Sequence, residues 1–276
     1  MTGIRIAIAQ PAITADAAAN GKRIRSLMRK AAAGRARLVQ FPEGMLSGYA
    51  KEQIADWSQV DWAVVKSELE QIMALAAELE LWVVLGSAHP LTPPHRPHNS
   101  LYVISDAGTL VDRYDKRFCS HTELTHFYTP GFEPVVFDVD GYRFGALICV
   151  EINFPHLLSQ YERLGVECLL LSAYPVDVGF ELKARALAAI NCYWIAMSLP
   201  GQTVDLMPSG LINPAGLYTT QVVGSSELAF ATVDRDDADV AGPLKHARPW
   251  RAAATKGDIY RTRAVTDPRS TNRTTL

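Results

Sequence analysis

Apolar and polar positions change period repeatedly along this chain, and each change marks an element. Residues 4–9 (Ile4-Arg5-Ile6-Ala7-Ile8-Ala9) alternate as a strand does, and Pro11 ends the run. From Asp16 to Ala33 the residues Ile24, Leu27, Met28 and Ala31 recur at helical spacing, and Gly34 supplies a stop. Leu38-Val39-Gln40-Phe41 reads as a second strand that ends at Pro42-Glu43-Gly44. Strand, helix and strand of these lengths make a crossover unit. Leu69, Ile72, Met73 and Ala76 mark the next helix, and Leu81 to Gly86 a strand buried on both faces.

After a loop from Pro90 to Pro97, residues 99–104 and 109–113 read as antiparallel strands joined at Asp106-Ala107-Gly108. Residues 134–139 and 142–149 repeat the hairpin around Asp140-Gly141. A helix over about 155–164, a strand at 168–172, a helix at 180–191 and a strand at 193–198 follow. Strands at 210–213, 217–223 and 228–233 end the periodic region. From Asp234 the chain is charged, Pro-punctuated and weakly periodic, so we expect an arm over 234–276 lying on a neighbour or on the surface. Residues 1–276 are read as a single domain without internal repeat, with helices outside a mixed two-sheet sandwich.

Composition narrows the function classes. With 276 residues, 48% of them apolar, the chain has ample material for a core without staples or metals. Its 27 basic and 29 acidic residues are spread along the sequence, which leaves no electrostatic footprint for nucleic acid or an anionic membrane. A small neutral or weakly charged partner is the expectation. Cys119, Cys149, Cys168 and Cys192 form no CxxC pair, which points to a reducing compartment. Met1-Thr2-Gly3 leads straight into the first strand without an apolar leader, and no apolar run approaches the roughly 20 residues that span a bilayer. A soluble, cytoplasmic protein is expected.

Cys149 is the best-placed nucleophile of the four thiols. It ends the strand Phe144 to Ile148 where a helix is about to open, a turn that projects a side chain at the sheet's carboxyl end. The amides opening a helix would favour its thiolate. The competing reading is a buried structural thiol, which is how Cys168 and Cys192 are read. Glu43 follows Phe41-Pro42 at another strand end, where it is either a rim carboxylate or a solvated loop residue. Lys116 closes Tyr114-Asp115-Lys116, and by itself would be an ordinary surface lysine.

Taken together, these blocks resemble the nitrilase superfamily of carbon–nitrogen hydrolases. The residues that carry the resemblance are Ile8-Ala9-Gln10, Phe41-Pro42-Glu43 with Ser47-Gly48-Tyr49, Asn99-Ser100, Gly108 with Tyr114-Asp115-Lys116, Thr129-Pro130-Gly131 and Gly145 to Cys149. Ser172-Ala173-Tyr174-Pro175, Ala184-Arg185-Ala186, Ser209 and Asn213-Pro214-Ala215-Gly216 follow in the family's order, over about residues 4–250.

The resemblance implies a four-layer α-β-β-α sandwich with mixed sheets. It also implies Glu43 as general base, Lys116 as oxyanion stabiliser and Cys149 as nucleophile. Glu123 is the candidate for a second catalytic glutamate, and the backbone N–H of Val150 for a further oxyanion donor. Tyr49, Glu151 and Tyr174 are expected to bind substrate.

The implied activity is hydrolysis of a non-peptide C–N bond in a small amide or N-carbamoyl compound through a cysteine thioester. It would need no metal and no cofactor, and the enzyme would be a homodimer or higher oligomer. Around the nucleophile the chain departs from the family's common pattern, with Val150, Glu151, Asn153 and His156, and Ala188 stands where a glutamate is common. His156, seven residues along, should point away from Cys149. The absence of GxSxG, HExxH and clustered Cys/His ligands argues against serine and metal hydrolases. A nitrilase acting on a small nitrile, or a catalytically silent binding protein on the same fold, remain the alternatives.

Overall fold

Residues 3–274 are described by the computed structural model; Met1, Thr2 and the last two residues of the expected arm lie outside the described residues. Strand β1 (Ile4–Ala9) leads through helix α1 (Ala17–Ala33) to the parallel strand β2 (Leu38–Gln40). Asp16 caps α1 by accepting from the amides of Ala18 and Ala19 at 2.9 and 3.1 Å, a contact worth about 1 kcal/mol. Helix α2 (Trp62–Leu79), capped in the same way by Asp61, returns the chain as β3 (Trp82–His89) parallel to β2. The chain then folds back on itself through β4 (His98–Ile104) and β5 (Leu110–Asp115), both antiparallel to their neighbours.

A second sheet follows the same plan. The hairpin of β6 (Val136–Val139) and β7 (Tyr142–Ile148) turns at Asp140-Gly141. Helix α3 (Pro155–Arg163), strand β8 (Cys168–Ser172), helix α4 (Gly179–Asn191) and strand β9 (Trp194–Ser198) make two parallel crossovers. Strands β10 (Gly210–Ile212) and β11 (Tyr218–Gln221) finish the edge, and β12 (Leu228–Val233) crosses to pair antiparallel with β1. The sheets run β12-β1-β2-β3-β4-β5 and β11-β10-β9-β8-β7-β6.

Side-chain alternation decides what each face buries. Ile6, Ile8, Leu38 and Val84 share one buried cluster with Phe144, Ala146, Ile148 and Leu170 of the second sheet. The intervening residues Ala7, Ala9, Val39, Val83 and Leu85 face α1 and α2, against Ile24, Leu27, Met28, Ile72 and Leu75. Leu157, Leu158, Tyr161, Ala184 and Leu187 of α3 and α4 cover the second sheet. The result is the expected α-β-β-α sandwich, with both nearly continuous apolar β-runs explained by burial on two sides.

Beyond β12 the chain stays on its own surface at first. Helix α5 (Arg248–Thr255) lies along α3, with Arg248 donating to the Val166 carbonyl at 2.8 Å and Arg251 3.6 Å from Glu162. Residues 258–274 are all exposed.

Candidate active site

Three strand ends supply the chemistry. Glu43 lies just beyond β2, in a turn that crosses β3 so closely that a Cβ on Gly86 would stand 2.1 Å from the Pro42 carbonyl oxygen. Only glycine fits there. Lys116 directly follows β5; its amide donates to Asn99 O at 2.8 Å and its carbonyl accepts from Gly131 N at 2.9 Å. A Cβ on Gly131 would lie 2.4 Å from Asp115 O, so the Pro130-Gly131 turn pins the lysine from outside. Cys149 directly follows β7 with φ +48° and opens a single helical turn, Cys149–Asn153. A β-substituted residue in that left-handed region is held at a cost of roughly 1–2 kcal/mol.

At their meeting point Lys116 Nζ donates to Glu43 Oε1 at 2.9 Å and to Glu123 Oε1 at 2.7 Å, all three side chains being buried. Asn99 Nδ2 donates to the same Glu43 oxygen at 2.7 Å, and the Tyr174 amide to its other oxygen at 3.0 Å. Ser120 N donates to Glu123 Oε2 at 2.7 Å. The Cys149 thiol donates to the Tyr174 carbonyl at 3.7 Å, so one residue's backbone meets both base and nucleophile.

The two carboxylates are pushed apart. Burial raises the Glu43 pKa, and the charge on Lys116 only partly offsets it, while that on Glu123 adds to it. For Glu123 burial also acts upward, but Lys116 and the Ser120 amide outweigh it and hold the pKa below the usual carboxylate range. Lys116 stays charged: burial acts to lower its pKa, yet Glu43 and Glu123 raise it well above the ordinary value. Such a split gives one group able to exchange a proton and one fixed anion.

Burial also pushes the Cys149 thiol up, with Glu43 adding to it and Lys116 opposing. The helical turn that opens at Cys149 is a single one, α3 beginning only at Pro155, and the nearby carboxylates oppose ionisation of the sulfur.

Cys149 and Glu123 border a pocket of about 140 Å³ between the two sheets' carboxyl ends, lined also by Val150, Tyr49 and Tyr174, with Lys51, Asp177 and Lys183 around it. Wider depressions exist, including one of about 570 Å³ bordered by Arg37, Asp140 and Tyr142, but the thiol and Glu123 border this small one. The rings of Tyr49 and Tyr174 stack at 4.8 Å. Val150, Tyr49 and Tyr174 thus stand on the wall, as does Glu123.

Glu151 does not stand there. The expectation that it binds substrate is corrected, because its carboxylate is fully buried and already accepts from Tyr114 and from the amides of Ile148, Arg117 and Phe118. His156 packs against Phe118 and Phe154. Asn99 was visible as part of a motif without a role, and Lys51 and Lys183 had no sequence signal at all.

The sequence model of the carbon-nitrogen hydrolase family matches residues 5–243. The chain belongs to that family. This hydrolase is 29% identical over 275 residues to a glutamine-dependent NAD(+) synthetase of Acinetobacter baylyi, covering 94% of the chain but 49% of the relative, so it spans about half that protein's length. It is 24% identical over 251 residues to omega-amidase NIT2 of Homo sapiens, covering 85% of the chain and 90% of the relative. The crystal structure of an amidase from Nesterenkonia sp. shares the fold at TM-score 0.75 and 19% identity, over 91% of this chain and 97% of that one. No helix among the described residues is long and apolar enough to cross a membrane.

Proposed function

We propose that this carbon–nitrogen hydrolase cleaves a small non-peptide amide or N-carbamoyl compound through a thioester on Cys149. The observation that carries the proposal is the buried Glu43–Lys116–Glu123 cluster, whose Glu123 lines the same small pocket as the thiol. Lys116 and its two carboxylates sum to one negative charge before the thiol ionises, so a resting thiolate would add a second negative charge in a low-dielectric site. Cys149 therefore attacks as Glu43 takes its proton. The carbonyl oxygen becomes an oxyanion facing Lys116 and the Val150 amide; one such donor contributes about 3–4 kcal/mol. Glu43 passes its proton to the departing nitrogen, the C–N bond breaks, and a thioester remains. Water, losing a proton to Glu43, then attacks the thioester; the thiol recovers that proton and the acid leaves. Glu123 keeps Lys116 charged and in place.

Pocket size favours an acyl group of few heavy atoms and excludes a folded chain. In a related structure the acetamide moiety of fluoroacetamide is added to the active-site cysteine of a glutamate-to-glutamine mutant of the Nesterenkonia amidase, which supports an amide-sized occupant. The test is a panel of matched amides, N-carbamoyl compounds and nitriles sharing one acyl group, with acid and ammonia followed together. Faster release from the nitrile across several pairs would replace amide by nitrile hydrolysis and leave the site assignment standing. No release from any member would favour a silent binding protein.

An oligomer forms part of the same proposal. Leu182 and Ile190 leave apolar side chains exposed on α4 beside Val176 and Val178, a face suited to burial against a second copy. Light scattering that shows a stable, active monomer at micromolar concentration removes it. Four unpaired cysteines support a reducing, cytoplasmic location, which fractionation would check.

A further inference from the structure

We infer that Glu151 is a positioning residue for the reaction: its buried carboxylate clamps the segment that carries Lys116 to the elbow that carries Cys149. The inference rests on the catalytic assignment proposed above. Lys116 follows β5 of the first sheet and Cys149 follows β7 of the second. These segments have no strand pairing in common, so their relative position depends on side chains that cross between the sheets.

Glu151 makes that crossing at the site itself. Its Oε2 accepts from the amide of Ile148 at 2.9 Å, the residue just before the left-handed Cys149. Its Oε1 accepts from the amides of Arg117 and Phe118 at 2.8 and 3.1 Å, the two residues just after Lys116. The hydroxyl of Tyr114, two residues before Lys116, lies 2.7 and 2.8 Å from the two carboxylate oxygens. The lysine is thus gripped from both sides and the cysteine from its strand side, by one group with 0% exposure.

Carboxylate chemistry is required at this place. Every partner donates, and an ionised carboxylate is an acceptor at both oxygens. Burial raises the Glu151 pKa, and the Ile148 amide, the Tyr114 hydroxyl, the charge on Lys116 and the Phe118 amide oppose that rise, these donors replacing water around the carboxylate. An amide in its place presents an N–H₂ either to Ile148 N or to Arg117 and Phe118 N, so one side of the clamp opens whichever way it is turned. The misplacement expected is of Lys116 relative to the thiol, and errors of about 1 Å in such a pair cost on the order of a hundredfold in rate.

The test uses Glu151→Gln and Tyr114→Phe in the full chain, with folding checked by thermal denaturation and all rates taken below the lower melting temperature. Two readouts are needed: kcat and KM on the best amide, and the rate at which fluoroacetamide alkylates Cys149, followed by mass spectrometry. For Glu151→Gln we expect kcat to fall at least about tenfold with KM within about twofold, and alkylation to slow as well. For Tyr114→Phe, which removes one donor and leaves the three amides, a kcat loss of about threefold to fivefold is expected, again without a KM change. If Glu151→Gln does not fold, Tyr114→Phe decides alone. A folded variant with kcat and alkylation within twofold of the parent, or one that raises only KM, overturns the inference. Failure of the amide proposal reads out differently, as a parent enzyme without amidase turnover, and alkylation still reports on the clamp.

Discussion

Cys149 follows one strand of a parallel pair and Cys168 opens the other, yet they are different chemical objects. Strand β7 pairs with β8 so that Phe144 stands beside Cys168 and Ile148 beside Ser172. Cys168 therefore lies at the entry end of β8, fully buried among apolar side chains, whereas Cys149 lies just past the exit end of β7. Burial raises both thiol pKa values, so acidity does not separate them. Company does: Cys149 has a buried base, a buried cation and a pocket, and Cys168 has hydrocarbon. On the proposed function, reactivity at this site belongs to an assembly that delivers and removes a proton during attack.

The comparison breaks most cleanly by removing each sulfur. Cys149→Ala should lower turnover by at least about a thousandfold with little change in melting temperature. Cys168→Ala should leave kcat near that of the parent and lower stability by about 1–3 kcal/mol, as read by denaturant midpoint. Equal activity losses in the two variants would remove the distinction.

Next in size is the cation. Lys116→Met should lower kcat about 10²–10³-fold, more than it changes KM. It should also destabilise the fold by about 3–5 kcal/mol, because Glu43 and Glu123 are left buried together without it. Adding Glu123→Gln to that variant should restore part of the stability and none of the rate. If KM alone rises, Lys116 is a binding residue.

A smaller effect sharpens the contrast between the carboxylates. Attack needs Glu43 ionised, and its pKa is raised above the ordinary 4.5, so the acid limb of kcat/KM should lie above that value and activity should fall as pH drops through it. Glu123 contributes to that rise through its charge. Glu123→Gln should therefore move the acid limb to lower pH, whatever it does to the plateau; a limb that stays put would assign it to another group.

The smallest change concerns Lys183, which borders the pocket and has no ion-pair partner among the described residues. Lys183→Met should reduce kcat/KM by about threefold to tenfold for an amide with an anionic acyl tail, and hardly at all for a neutral one. Added salt should shrink the difference. Equal loss on both substrates would point to packing instead.

Local patterning made the elements legible. Ile24, Leu27, Met28 and Ala31 announce α1, and the turns at Asp106-Ala107-Gly108 and Asp140-Gly141 announce the hairpins, because spacing and turn chemistry act over a few residues. Glu43, Lys116 and Cys149 could be named because they stand in motifs that resemble those of the nitrilase superfamily; Lys116 by itself reads as a surface lysine. What those residues do to one another was not legible. That Glu151, two positions from the nucleophile, turns inward to hold the lysine segment depends on β5 and β7 meeting across two sheets. That Cys149 keeps its proton depends on how closely two carboxylates and one cation are buried around it. Lys183 reaches the pocket because α4 begins beside it. Sequence patterning determined the strands and the helices, and motifs shared with a family named the three groups at their ends. Tertiary structure alone decided distances, burial and proton positions, since electrostatic and hydrogen-bond energies depend on separations between residues far apart in the chain.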